Sequence, residues 1–180
     1  MVTDEETGAA RVRLTARLRL EPISAAHAED LLRVYQDPAV AEWFGVWTPE
    51  MARREAARMA NAWQQDGVHK WMAYSRSTGE LIGRGGLSRV QLEGHERVEI
   101  GWVVRGQFWG QGYATEIGAA GLAFAFEELA ADEVVSFTEE RNARSRAVME
   151  RLGFHYSHDL VLEEGGEPFV LYRLSRSDAT

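Results

Sequence analysis

The stretch Arg97-Val98-Glu99-Ile100-Gly101-Trp102-Val103-Val104-Arg105-Gly106-Gln107-Phe108-Trp109-Gly110-Gln111-Gly112-Tyr113-Ala114-Thr115-Glu116 decides how this chain is read. It opens as a short apolar strand, passes through a glycine-studded turn and enters the first turn of a helix. A helix N-terminus presents backbone N–H groups that lack intrahelical partners, and its dipole favours negative charge there. Glycines at 110 and 112 let a phosphate approach the main chain without meeting a Cβ. The stretch therefore predicts an anion site, and the rest of the chain must say which anion.

Working outward, the 180 residues suit one domain with a sizeable core, and 45% apolar residues agree with a globular class. We expect residues 1–10, polar and acidic, to be a loose terminus and residues 11–180 to form a single domain. No run approaches a membrane span, and no basic-then-apolar signal opens the chain, so no membrane partner is expected. The lack of cysteine is the pattern of a reducing cytoplasm, which is the expected location. The absence of cysteine removes disulfides, thiolate nucleophiles and cysteine-bound metals. A net charge of −8 argues against nucleic acid and favours cationic partners. The five histidines are scattered without metal-ligand spacing.

Ahead of the opening stretch, Val12, Leu14, Ala16, Leu18 and Leu20 alternate with Arg11, Arg13, Thr15, Arg17 and Arg19, which predicts one half-buried edge strand. Ser24 caps a helix that stops at Asp37-Pro38. The aromatic segment 39–47 reads as irregular, and Thr48-Pro49-Glu50 opens a second helix that ends near Gly67. Strands follow over 70–76 and 81–92, with turns at Ser77-Thr78-Gly79-Glu80 and Glu93-Gly94-His95-Glu96. Beyond the glycine turn, 113–130 reads as a helix apolar nearly all round, hence buried. A strand over 133–138 and a helix over 143–152 ending in Gly153 come next. Strands over 154–163 and 168–174, joined through Glu164-Gly165-Gly166-Glu167, close the chain. The order predicts an α+β domain: a mixed, mostly antiparallel sheet of about seven strands flanked by about four helices. Its one clear parallel pair joins the opening strand to 133–138.

Three phosphate motifs compete for the turn. A P-loop requires a lysine that does not follow Gly112. A dinucleotide fingerprint requires a third glycine and an acid ending the next strand, whereas Asp132 precedes its strand. The third is a family resemblance. Gln107-x-x-Gly110-x-Gly112-Tyr113-Ala114 resembles the acyl-CoA pyrophosphate motif of the GNAT acetyltransferases. Glu99-Ile100-Gly101-Trp102 leading into Trp109-Gly110-Gln111-Gly112-Tyr113-Ala114-Thr115-Glu116 is similar to the RimJ/RimL-type branch. Arg17-Leu18-Arg19-Leu20, Asn142-x-x-Ser145, Leu152-Gly153-Phe154 and Tyr172-Arg173-Leu174 continue the likeness in the family's order across roughly residues 15–175. A tight strand-to-helix turn is the structural alternative for the glycines.

The resemblance implies a GNAT-like fold and an N-acetyltransferase that moves acetyl from acetyl-CoA to a primary amine, on a small molecule or a protein N-terminus. It implies that Gln107, Phe108, Trp109, Gly110, Gln111, Gly112, Tyr113, Ala114 and Thr115 bind the cofactor, with the pyrophosphate on the N–H groups of about 108–114. Trp102, Val103 and Val104 would hold pantetheine along a splayed strand edge, with a backbone N–H near Val103 or Val104 polarising the thioester carbonyl. Asn142 would hold the pantetheine arm, or be no more than a helix N-cap. Glu99 is the first candidate base, with an ordinary strand-edge glutamate as its alternative; Glu93, Glu96 and His95 stand in reserve. Many members carry a tyrosine where this chain has Met149; the likeness to the RimJ/RimL-type branch implies instead that Ser145, which also lies in the cofactor segment, is the acid, with Tyr113 or water behind it. Without cysteine an acetyl-cysteine intermediate is excluded, which leaves direct attack in a ternary complex. Trp43, Phe44, Trp47 and Trp63 are candidates for the lining of the acceptor pocket, with Trp71 nearby; the alternative for such aromatics is core. A monomer or homodimer is expected, and a catalytically silent acyl-CoA-binding sensor or interaction module is the competing reading.

Overall fold

The computed structural model describes residues 11–162 and 166–179. The expected loose terminus, residues 1–10, lies outside them, as do Glu163, Glu164 and Gly165 of the closing strand and turn.

The first departure from the sequence reading comes at once. In place of one alternating strand the chain forms a hairpin, β1 (Arg13–Leu14) and β2 (Leu18–Pro22), paired antiparallel with Arg13 opposite Leu20. Thr15 makes the turn: its hydroxyl accepts from the Leu18 N–H at 2.9 Å. Val12 and Leu14 are consequently exposed, while Leu18 and Leu20 are fully buried.

Ser24 and His27 then form a capping box around one 3₁₀ turn, which leads into α1 (Ala28–Tyr35). The segment expected to be irregular holds a second helix, α2 (Pro38–Phe44). Asp37 caps it by accepting from Ala39 N–H at 3.0 Å, and Pro38 occupies the first position, where its missing N–H costs nothing. Gly45, at φ 71°, ends it. Helix α3 (Pro49–Asp66) runs from the Thr48 cap to a left-handed Gly67, as its sequence predicts.

The strands are β3 (Lys70–Ser75), β4 (Leu81–Leu92), β5 (His95–Val104), β6 (Glu133–Glu139), β7 (His155–Leu160) and β8 (Phe169–Ser175). Helices α4 (Tyr113–Ala123) and α5 (Ala143–Arg151) complete the fold. The strand order is β1-β2-β3-β4-β5-β6-β8-β7: eight strands, mostly antiparallel, with five helices among the described residues. The parallel pair is β5 with β6, registered at Glu99 opposite Val135.

Helix α4 differs from expectation on one side. Ile117 and Leu122 are buried, but Ala119 and Ala123 are exposed and help line a groove with Phe126, Leu152 and Leu174. Past Ala123 the helix widens to i→i+5 bonding, with Leu129 N–H donating to Phe124 C=O at 3.1 Å. No helix is long and apolar enough to cross a membrane among the described residues.

The chain divides into two compact units. One continues to Gly86 and includes Trp102–Ile117; the other holds Leu87–Gly101 and the chain from Gly118 onward. The first has a core of Ile23, Leu31, Val34, Tyr35, Met72 and Leu81, with Val103 of β5. The second is built on Leu92, Val135, Leu160 and Leu171, with Phe137 and Phe169 packed against them.

Candidate functional site

In the first unit, β5 ends with Trp102 half-buried and Val103 and Val104 buried. Arg105 N–H donates to Ile82 C=O at 2.9 Å, which brings the chain out of the sheet. Gly106 enters the turn against α2: its N–H donates to Asp37 Oδ2 at 3.1 Å, and a Cβ there would meet the Ala39 Cβ at 2.7 Å. The Asp37 carboxylate thus serves two elements, one oxygen capping α2 and the other holding the turn. Gly106–Phe108 forms a 3₁₀ turn, and the Trp109 indole N–H donates to Val104 C=O at 2.7 Å.

Gly110 and Gly112 then adopt φ of 74° and 82°, a region where a Cβ is strained. Beyond the Cβ position of Gly110 nothing lies within 4 Å, so the turn is open at that point. Helix α4 starts at Tyr113, and helical geometry leaves the N–H groups of its first turn without intrahelical acceptors. The glycine conformation, the open face and the helix dipole together suit a pyrophosphate. Every turn residue singled out from the sequence, Gln107 to Thr115, lies in this one segment.

Sequence reasoning missed what holds that segment. Glu116 accepts from Thr15 Oγ1 at 2.5 Å, from Arg17 N–H at 2.8 Å and from Arg17 Nε at 2.7 Å. Burial alone would raise the Glu116 pKa; the bonds from Thr15 and Arg17 outweigh it and hold the carboxyl below its ordinary value. An acid in the first turn of a helix is a legible signal, but its partners lie 99 and 101 residues away.

The aromatic candidates also belong to this unit. Trp47 stacks on Tyr35 with ring centroids 3.6 Å apart and planes 4° from parallel, and Phe44 meets the same ring edge-on at 5.5 Å. Arg84 bonds to the Tyr35 hydroxyl through Nε and Nη2. Trp47 packs against the core, whereas Phe44 is 49% exposed and Trp43 half-buried. Trp63 and Trp71 are both buried, with centroids 6.1 Å apart, which makes them core.

The second unit holds Glu99 and Ser145, the first base and acid candidates, whereas Tyr113, the fallback acid, heads α4 in the first unit. Glu99 is half-buried on β5 and accepts from Ser88 Oγ of β4 at 2.7 Å, so a serine that the sequence reading passed over orients the carboxylate. One residue on, Ser136 Oγ of β6 donates to Ile100 C=O at 2.9 Å. Asn142 Oδ1 accepts from the Ser145 N–H at 3.1 Å, the N-cap of α5, so the capping role is real and brings these two residues together. Ser145 itself is half-buried. Met149 is buried in the core. The reserve candidates lie at an exposed turn: Glu93 pairs with His158 at 2.9 Å, Glu96 with Arg89 at 3.2 Å, and His95 Nδ1 contacts Glu93 C=O. No group of three His, Asp or Glu is placed to hold a metal among the described residues.

Residues 17–155 match the family described as acetyltransferase (GNAT) domain. The chain is 32% identical over 151 residues to the FsC-acetyl coenzyme A-N(2)-transacetylase of Aspergillus fumigatus, covering 77% of this chain and 63% of that one. It is 28% identical over 165 residues to YkkB of Bacillus subtilis, covering 88% and 92%. Among solved structures, an acetyltransferase from Agrobacterium tumefaciens superposes with a TM-score of 0.76 at 26% identity, covering 92% of this chain and 95% of that one. A Bordetella pertussis structure reaches 0.82 at 23% identity, covering 92% and 99%, a likeness of fold.

Proposed function

The chain belongs to the GNAT acetyltransferase family, and from that premise we propose that it is an acetyl-CoA-dependent N-acetyltransferase of the RimJ/RimL-like type. Its acceptor is a primary amine, on a small molecule or a protein N-terminus, and residues 11–180 act as one catalytic domain. The observation that carries this reading is the turn in which Gly110 and Gly112, both at positive φ, open onto the head of α4. The name of the Aspergillus fumigatus relative, which specifies acetyl coenzyme A and transfer to N(2), supports a nitrogen acceptor.

The backbone N–H groups of the turn and the first turn of α4 would hold the pyrophosphate, and Trp102–Val104 and Asn142 the pantetheine. Acetyl-CoA supplies the activated acetyl thioester. Glu99, oriented by Ser88, takes the proton from the incoming ammonium, directly or through a water. A backbone N–H at Val103 or Val104 steadies charge on the carbonyl oxygen, a role of about 2.7–4 kcal/mol where such donors have been removed. Ser145 Oγ delivers a proton toward the leaving sulfur. Phe44, Trp43 and Trp47 offer an acceptor some apolar surface.

Thiol release from acetyl-CoA over a panel of peptides, polyamines and aminoglycosides tests the reading, and acetylation of at least one amine is expected. Glu99→Gln and Ser145→Ala should each lower kcat, by about 10²–10⁴-fold if they carry proton transfer. Full activity in either variant would remove that residue's role and leave the family assignment standing. Met149, buried in the core where many members carry a tyrosine, favours a second reading: a silent acyl-CoA-binding module. CoA binding without turnover across the panel would select it.

A further inference from the structure

On the reading above, we propose that Arg17 is a positioning residue for the pyrophosphate turn, locked in place by Glu116. The guanidinium does three things at once. Its Nε donates to Glu116 Oε2 at 2.7 Å, its Nη1 donates to Gln111 C=O at 2.8 Å, and its carbon lies 4.4 Å from the centroid of the Tyr113 ring. Its Nη2 sits 3.4 Å from where a Cβ on Gly112 would be, so the glycine also leaves room for the arginine.

Arg17 therefore grips the residue before Gly112, the residue after it and the helix turn beyond. That grip is needed because Gly110 and Gly112, as glycines, have more backbone freedom than residues with a Cβ, and fixing them has a high entropic cost. A turn already held in the bound conformation does not incur that cost when the anion arrives. The grip is itself braced. Arg17 N–H and Thr15 Oγ1 both donate to Glu116 Oε1, and Arg76 N–H donates to Arg17 C=O at 2.9 Å while its Nη1 donates to Thr15 C=O at 2.5 Å. The β1–β2 hairpin tip, turned by the Thr15–Leu18 bonds, closes around the Glu116 carboxylate. A lysine could replace the charge of Arg17 but not the fork, since one ammonium cannot reach Glu116 and the Gln111 carbonyl in the same plane.

The test measures CoA and pantetheine affinity by calorimetry, together with steady-state kinetics, in the wild-type chain, Arg17→Met, Arg17→Lys and Glu116→Gln. Pantetheine lacks the pyrophosphate, so it reports on fold and on the rest of the site. Positioning predicts that CoA Kd and the KM for acetyl-CoA rise about tenfold in both arginine variants, the equivalent of one lost ordering interaction. It further predicts that pantetheine Kd is unchanged, that kcat at saturation stays within about twofold, and that Glu116→Gln moves the same way. Wild-type CoA affinity in Arg17→Met, restoration by lysine, or parallel loss of pantetheine binding would each overturn the proposal. Failure of the wild-type chain to bind CoA at all would instead bring down the functional reading beneath it.

Discussion

His69 is 6% exposed, and its Nδ1 is buried without a hydrogen-bond partner among the described residues. Burial, reinforced by the positive charges of Lys70, Arg58 and Arg84, lowers its pKa from 6.5 to about 3. The folded imidazole thus stays neutral across the range in which the unfolded one takes up a proton. As pH falls through 6.5 toward 3 the unfolded state binds more protons, so stability must fall with it; above 6.5 the residue contributes no pH dependence. We expect the unfolding midpoint to drop between pH 7 and 4 by more in the wild-type chain than in His69→Gln, whose amide does not titrate. Thermal melts of both across that range measure the difference. Superimposable slopes would mean that His69 charges in the fold. The Glu116 carboxylate, held below its ordinary pKa, adds a loss of the same sign at lower pH. It is present in both proteins and cancels from the comparison.

At the scale of elements, β4 and β5 approach each other through a glycine. A Cβ on Gly83 would stand 2.1 Å from the Val103 carbonyl oxygen and 2.9 Å from the Val104 Cα, both backbone atoms that cannot swing aside. Gly83→Ala should therefore push the end of β5 off β4, destabilising the chain by about 3 kcal/mol or more. The same displacement should weaken CoA binding, because Val103 and Val104 lead into the turn. Urea denaturation beside calorimetry would test both effects, and an unchanged midpoint would mean the strands separate without strain. Nothing in the sequence distinguishes Gly83 from Gly85, since the requirement comes from a strand twenty residues away. Elements whose cause is local were legible. Thr48 with Pro49 and Gly67 bounds α3, and the run from Leu81 to Leu92 is β4 from end to end. The alternation of residues 12–20 misleads because it continues through Thr15 and Arg17, whereas Thr15 turns the chain onto Leu18 and the distant Glu116 carboxylate holds that turn. The aromatic content of 39–47 hides helix α2, although Asp37-Pro38 is a regular capping start for it as well as a stop for α1. In the candidate site the turn itself was legible from its glycines. Ser88 and Arg17 were not, because their partners are fixed by strand register and by packing.

The whole molecule carries a net charge of −8, yet the proposed function asks it to bind a polyanion. Its overall field opposes that ligand, so the affinity must come from short-range donors: the N–H groups of the glycine turn, the α4 dipole and the turn geometry that Arg17 maintains. Two consequences can be measured together. A ligand that binds only the folded state stabilises it by about 2.7 kcal/mol at a hundredfold excess over Kd. For a chain of this size that corresponds to a rise of about 5–10 °C in Tm. The dependence on salt separates the local from the global contribution. If the acidic surface as a whole repels CoA, added salt screens the repulsion and the shift grows as ionic strength rises from about 0.01 to 0.15 M, where the Debye length shortens from about 30 to 8 Å. Contacts of about 3 Å within the turn are much shorter than either length and should survive the same change. We therefore expect Tm shifts with CoA that hold or increase over this range. A shift that collapses by 0.15 M would mean that long-range attraction drives binding. The glycine turn would then not be what holds the pyrophosphate, however well its geometry suits one.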